Sequence, residues 1–359
     1  MFGMMAAMAS DARNRLRWRL ADDDRGQAGL LDGAERVPGV RELAGLEFLH
    51  VQAQRVINRV PDASRMPFRY TINAYRGCSH ACVYCFARPT HEYLDLDSGR
   101  DFETRIVVKI NAVERVRAEL SSPRWGGDLI AMGTNTDPYQ PCEGRYRLTR
   151  GIVEALVEAG NPFSILTKST LVLRDLDVLA EGARRGLARV DLSIGCLDRG
   201  VWRLTEPSTP DPARRMEAVA QLNEAGVPCG VMVAPVIPGI SDGDDQLDAV
   251  VAAAVEAGAQ SVAAIPLHLR PGVREHYLGW LSDARPDLVA AYRRRYTGAY
   301  LPSPDRRDLA ARVHALVVGH RGRVGPPRGI ARPQLSSPGR QGEAPAEIRD
   351  DPRQLRLAV

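Results

Sequence analysis

The sequence predicts an α/β fold built on a parallel sheet, and three observations carry that prediction. Between residues 149 and 267, short apolar stretches alternate with amphipathic stretches of helical period. Gly160, Gly186, Gly226 and Gly258 stand where those helices end, as left-handed C-caps require. Counted from residue 68, the strands with well-placed helices number about six, two short of a full eight-stranded barrel. That count fits an incomplete barrel; a doubly wound sheet fits the same periodicity.

The elements follow in order. Residues 1–66 read as a weakly patterned N-terminal extension, partly disordered, with an acidic run at Asp22-Asp23-Asp24 and poor order expected before about residue 40. Residues 46–58, LEFLHVQAQRVIN, alternate in a way that suits strand or helix. FRYTINAY (68–75) reads as the first strand, rich in aromatic and β-branched types. RIVVK (105–109) is a short extended piece, and Asn111 reads as the N-cap of AVERVRAEL (112–120). DLIAMGT (128–134) is the second strand and runs into the turn-rich NTDPYQP. Helix 149–160 then leads to strand 162–167, helix 173–185 to strand 188–194, helix 212–225 to strand 228–236, and helix 244–257 to strand 259–267. The barrel thus spans 67–270. Residues 271–318 form a helical C-terminal extension, with one segment at 273–298 (apolar side Trp280, Leu281, Leu288, Tyr292) and another at 305–318. From Gly319 to 359 the chain is rich in Pro, Gly and Arg and has no Phe, Trp or Tyr, so it reads as a disordered tail.

Composition narrows the setting. With 359 residues and 44% hydrophobic content the chain can bury a full core. No apolar run approaches the roughly 20 residues of a membrane span. The apolar start is followed by Arg13, Arg15, Arg17 and Arg19 and not preceded by them, unlike a signal peptide. Six cysteines without export point to the reducing cytoplasm. A net charge of +4 permits an anionic partner without demanding one. Of 48 basic residues only Lys109 and Lys168 are lysine, so each marks a place where a compact ammonium is needed or survives by chance.

The chemistry concentrates in Tyr75-Arg76-Gly77-Cys78-Ser79-His80-Ala81-Cys82-Val83-Tyr84-Cys85. Three thiolates on one short loop suit an iron–sulfur cluster. A [4Fe–4S] cube needs four ligands, so three cysteines leave one iron open. A zinc site with His80 or His91 as fourth ligand, or a disulfide framework, are the other readings. The C-x3-C-x2-C spacing, with Tyr84 just before Cys85, resembles the signature of the radical S-adenosylmethionine (SAM) enzymes.

That resemblance implies a fold, two cofactors and a reaction. The fold is an incomplete (β/α)6 TIM-like barrel of the radical SAM type. In that family the methionine amine and carboxylate of SAM chelate the open iron. One electron then passes to the sulfonium and a 5′-deoxyadenosyl radical results. The electron comes from a one-electron reductant such as flavodoxin or ferredoxin.

In parallel α/β folds, ligands sit at the C-terminal ends of the strands. The rim residues can therefore be matched to SAM. Asp137 stands where many radical SAM enzymes carry an acidic or polar group and is the candidate for the ammonium. Lys168 is placed for the carboxylate and Ser193 for the ribose, with Ile237 and Pro266 flanking the adenine. Tyr84 is similar to the family's aromatic position, whose backbone meets the adenine edge. Cys142 and Cys196 lie near the rim as candidates to meet a substrate radical, whereas Cys229 reads as a buried strand thiol. Trp125, Trp202 and Trp280 read as packing. His80 and His91 flank the loop as supporting or solvent groups.

The phrases RVINRVP (55–61), YRGCSHACVYCFARPTHEY (75–93), VKINA (108–112) and GTNTDPYQP (133–141) look like the branch related to spore photoproduct lyase, often described as "DNA repair photolyase"-like. That lyase uses a thiol hydrogen donor near the end of the second strand. Here Gly133 and Thr134 occupy that region, and Cys142 comes several residues later. Three functions follow: a radical SAM enzyme of unknown substrate, the same chemistry on a thymine-dimer lesion in DNA, or a non-catalytic iron–sulfur or zinc module. For a DNA partner the chain offers Tyr292-Arg293-Arg294-Arg295-Tyr296, with arginines for phosphates and tyrosines for stacking.

Overall fold

The computed structural model describes residues 18–19, 31, 33–61 and 66–324. Asp22-Asp23-Asp24, Arg13, Arg15, Arg17 and the tail beyond residue 324 lie outside the described residues.

Six parallel strands form the centre: β1 (Tyr70–Ile72), β2 (Ile130–Met132), β3 (Phe163–Thr167), β4 (Ala188–Ser193), β5 (Cys229–Val236) and β6 (Val262–Pro266). They pair in chain order from β1 to β6, and among the described residues β6 is not bonded back to β1. A doubly wound sheet would reverse its order partway. The unbroken order therefore gives the incomplete barrel. Its strands are short and mostly apolar, and most of their residues are buried, as helix-covered parallel strands should be.

Helices α1 (Ala112–Leu120), α2 (Leu148–Glu158), α3 (Leu176–Arg184), α4 (Pro212–Glu224) and α5 (Asp244–Glu256) cover the sheet between successive strands. α4 shows why they begin and end where they do. The Asp211 carboxylate accepts the Ala213 N–H at 2.9 Å, Pro212 fills the first position, and Gly226 turns the chain at φ +81°. Asn111 precedes α1 as expected but does not cap it. Its side-chain amide instead accepts from the Ala53 N–H at 2.8 Å and donates to the Ala53 carbonyl at 3.0 Å.

A second sheet joins Trp18–Arg19, Glu35–Pro38, Glu47–Ala53, Arg105–Lys109 and Tyr75–Arg76. It resolves the ambiguous stretch at 46–58 as strand, and a further strand, Ile57–Arg59, lies antiparallel to β1. The expected strand 68–75 divides: Tyr70–Ile72 stays in the barrel, and Tyr75–Arg76 crosses to the second sheet. That crossing aims the cysteine loop.

After β6 come α6 (Val273–Ala284), α7 (Pro286–Arg295) and α8 (Ser303–Val324). The segment expected at 273–298 is broken at Arg285-Pro286, where Pro286 starts a new helix. α8 outruns the expected 305–318 at both ends. A hydrophobic cluster of Cys82, Tyr84, Ile237, Leu267, Tyr277 and Tyr292 joins α6 and α7 to the cysteine loop.

Candidate active site

The cysteine loop begins with a residue that only glycine can supply. Gly77 has φ +82°, and a Cβ there would lie 2.8 Å from His91 Cε1 and 2.9 Å from the Phe102 carbonyl. The loop then folds on its own backbone. Ala81 N–H donates to the Cys78 carbonyl at 3.3 Å, and Cys85 N–H to the Cys82 carbonyl at 3.2 Å. Arg88, fully buried, closes it: Nη2 donates to the Cys82 carbonyl at 3.0 Å and Nη1 to the Gly99 carbonyl at 3.0 Å. All three cysteines are free thiols, so no disulfide joins them. Burial pushes the Cys78, Cys82 and Cys85 thiols up; the Asp137 carboxylate adds to the rise at Cys78 and the Glu206 carboxylate to that at Cys82, and neighbouring thiols add less. Three neighbouring thiols held neutral would ionise together on meeting a cation, and metal binding releases those protons. That donor set fits an iron–sulfur cube with one thiolate per iron. Among the described residues no three His, Cys, Asp or Glu side chains close on a point that would hold a single ion. His80 and His91, the alternative zinc ligands, have other partners. His80 Nδ1 lies 3.4 Å from Asp137 Oδ2, and His91 Nε2 lies 2.9 Å from the Arg105 carbonyl.

On one side the loop meets the segment after β2. Gln140 Oε1 accepts the Ser79 N–H at 3.1 Å, and its Nε2 donates to the Gly77 carbonyl at 3.0 Å. The Thr136 hydroxyl donates to the same carbonyl at 2.6 Å. Asp137 ties this segment to β3: it accepts Thr167 Oγ1 at 2.6 Å, the Lys168 N–H at 2.7 Å and the Tyr139 N–H at 2.9 Å. Burial alone would push the Asp137 carboxyl up, but His80 beside it and these hydrogen bonds outweigh that and hold it below its usual range.

On the other side lies a charged group. Glu206, buried after the short helix Arg199–Thr205, accepts the Tyr84 hydroxyl, Lys168 Nζ at 2.8 Å and Arg215 Nη2 at 2.6 Å. Burial opposes its ionisation, yet Arg215 and Lys168 hold its carboxyl far below the usual range. Lys168 Nζ also donates to Ser193 Oγ at 2.9 Å and to the Ala234 carbonyl at 3.3 Å. Arg215, from α4, donates to the Ser193 carbonyl at 2.8 Å.

The expected rim residues therefore gather, but they bond to one another. Asp137 is not an open acceptor; both oxygens serve the loops that carry it. Lys168 is not a free cation, since its ammonium has three acceptors already. Ser193 faces Lys168 and the Ala234 carbonyl. Ile237 and Pro266 are buried at the ends of β5 and β6, with Ile237 packed in the cluster that holds Cys82 and Tyr84. Cys142 follows the loop after β2 but is 0% exposed and packed within the main core. Cys196 stays at the rim, buried, its thiol pushed up to about 12 by burial and by Glu206. Cys229 is the buried strand thiol expected. The indole N–H groups of Trp125 and Trp202 bond Asn161 and Thr209 within the fold, and Trp280 packs on Tyr277.

The basic-aromatic segment is corrected too. Tyr292 and Tyr296 are 3% and 1% exposed and donate to the Pro238 and Leu267 carbonyls, so neither can stack on a base. Sequence reading also missed Glu206, Arg215, Arg88 and Gln140. Of these, Gln140 and Arg88 lay in stretches already singled out.

Comparison with known proteins agrees with this geometry. Residues 72–249 match the radical SAM superfamily model. An uncharacterized protein of Mycobacterium tuberculosis (strain ATCC 25618 / H37Rv) is 45% identical over 299 residues, which are 82% of this chain and 88% of that protein. The radical SAM Nα-GlyT isomerase of Pseudomonas phage M6 is 28% identical over 168 residues, 47% of this chain and 33% of that protein. Spore photoproduct lyase complexed with dinucleoside spore photoproduct matches with TM-score 0.56 at 17% identity, over 76% of this chain and 79% of that one. A variant of that lyase with bound AdoMet and dinucleoside spore photoproduct matches with TM-score 0.56 at 18% identity, over 79% of this chain and 84% of that one. The chain belongs to the radical SAM superfamily and is an enzyme of that class. Among the described residues no helix is long and apolar enough to cross a membrane.

Proposed function

We propose that Cys78, Cys82 and Cys85 bind a [4Fe–4S] cluster and that the enzyme cleaves SAM reductively to act on a substrate outside photoproduct repair. The observation that supports this is the set of three neighbouring free thiols, Cys78 and Cys82 buried and Cys85 half-buried, on a loop braced from both sides. Cys78, Cys82 and Cys85 would hold the cluster, whose chemistry there would be one-electron reduction of SAM to methionine and a 5′-deoxyadenosyl radical. The chain's own residues do the rest. Ile237, Leu267 and the Tyr84 ring form an apolar wall beside Cys82 that excludes water. Lys168 reaches the SAM carboxylate by releasing the Ala234 carbonyl, the longest of its contacts at 3.3 Å. Thr134 Oγ1, buried after β2 without a partner, is an acceptor left over at the same rim for the ammonium.

Repair of a thymine-dimer lesion is the second reading, supported by the shared fold. The close approach at Gly133 weighs against it. A Cβ there would lie 2.0 Å from the Leu166 carbonyl, so that position cannot carry a thiol. A DNA contact would rest on the exposed Arg293 and Arg294, since Arg295 pairs with Asp305 at 2.8 Å. The reaction calls for a one-electron donor such as flavodoxin or ferredoxin, and for the reducing cytoplasm.

The test is anaerobic: iron and acid-labile sulfide content, then 5′-deoxyadenosine release from SAM under a chemical reductant. Four irons per chain and release of the nucleoside support the reading. Stoichiometric zinc without iron, or a cluster that leaves SAM intact, overturns it. Release stimulated by thymine-dimer DNA would move the substrate to the second reading.

A further inference from the structure

Lys168, Glu206 and Arg215 place two cations and one anion together beside the cysteine loop, Glu206 and Arg215 buried and the Lys168 side chain largely so. The group touches the loop directly. Tyr84, between Cys82 and Cys85, donates its hydroxyl to Glu206, and Lys168 Nζ stands 5.5 Å from the Tyr84 ring centroid. The Val83 N–H, next to Cys82, donates to the Thr205 carbonyl at 3.1 Å, one residue before Glu206. A buried charge left uncompensated is costly, so the surplus cation calls for an anion close by. Glu206 already serves both cations, and among the described residues no second carboxylate pairs with either of them. Cys82, as an iron-bound thiolate, would supply that anion.

We propose that Lys168, Glu206 and Arg215 set the reduction potential of the cluster, by keeping one surplus positive charge beside Cys82 that favours the reduced, more negative form. The proposal rests on the cluster reading above. These are positioning residues that act through space, because charge near a cluster is one of the protein's controls on its potential.

The sign of the effect separates this from a merely structural role. The experiment is a potentiometric titration of the cluster in the full chain without SAM, followed by the paramagnetic signal of the reduced state. Lys168→Gln removes the surplus charge. At a fixed potential the reduced-to-oxidised ratio should fall about tenfold, which for a one-electron couple is a midpoint about 59 mV lower. Glu206→Gln adds a surplus charge, and the ratio should rise by about the same factor. The double variant restores one surplus charge and should return close to the parent. Loosening of the fold would instead move both single variants the same way and the double variant further. Shifts of one sign, or none, overturn the proposal. Should Glu206→Gln lose its iron, Lys168→Arg carries the test, since it keeps the charge and should keep the parent's midpoint where Lys168→Gln does not. A parent chain without iron and sulfide overturns the cluster reading instead.

Discussion

The two sides of the cysteine loop are held by different physics. Toward β2 the contacts are amides and hydroxyls, with Gln140 and Thr136 both on the Gly77 carbonyl and the single carboxylate, Asp137, fully used by its neighbours. Toward β4 and α4 the contacts are ionic, and the cations outnumber the anions. Neutral hydrogen bonds fix backbone at short range and leave little field behind. Buried charges reach further in a low dielectric. One side thus sets where the sulfurs are, and the other sets the electrostatic setting in which they work.

The largest break comes at the residues both sides share. Cys78→Ala, Cys82→Ala or Cys85→Ala should abolish cluster binding, read as loss of iron and of visible absorption. Next is the tight crossing of β2 and β3. Gly133→Cys should cost on the order of 4 kcal/mol or prevent folding, because its Cβ would meet the Leu166 carbonyl at 2.0 Å. Denaturant unfolding of the soluble fraction checks it. Gln140→Leu breaks only the neutral side. It strands the Ser79 N–H and costs about 2–3 kcal/mol, and a cluster that still loads should keep the parent's midpoint.

Asp137→Asn sharpens the comparison by pH. A carboxylate held below its usual range contributes stability that is present above its unfolded pKa of about 4. That contribution is lost as the pH falls through the lowered folded value. The variant should therefore be weaker than the parent at pH 7 by about 1–3 kcal/mol, and the gap should narrow toward pH 2 in urea titrations. Cys229→Ala is the smallest change, about 1 kcal/mol of packing with the cluster untouched, because that thiol lies buried at the start of β5.

What the sequence disclosed follows from range. The barrel strands and their helices are local patterns with glycine punctuation, and the cysteines are a local spacing. The second sheet was hidden because Glu47–Ala53 pairs with Arg105–Lys109, more than fifty residues away, and a short alternating stretch does not name its partner. Glu206 and Arg215 look like ordinary charges on helical segments, and only tertiary contacts bury them. Asp137 and Lys168 were rightly sent to the rim. Without coordinates nothing shows that the Lys168 N–H bonds Asp137 while its ammonium bonds Glu206. Tyr292 and Tyr296 sit four apart on one helix face, stacked at 5.5 Å, and the three arginines between them disguise an inward stripe as a binding motif.

Because the parallel sheet does not close among the described residues, both of its flanking strands would offer unpaired amides to any passing chain if left uncovered. Ile57–Arg59 covers β1, and α8 packs along β6, its Arg321 reaching the Ala259 and Gln260 carbonyls at 3.1 Å. Both guards lie outside the span 72–249 that matches the superfamily model, and so does β6 itself. A chain trimmed to that span would keep all three cysteines and expose β5 as a bare template. Its failure would be self-association through strand addition, and light scattering, not metal analysis, would reveal it.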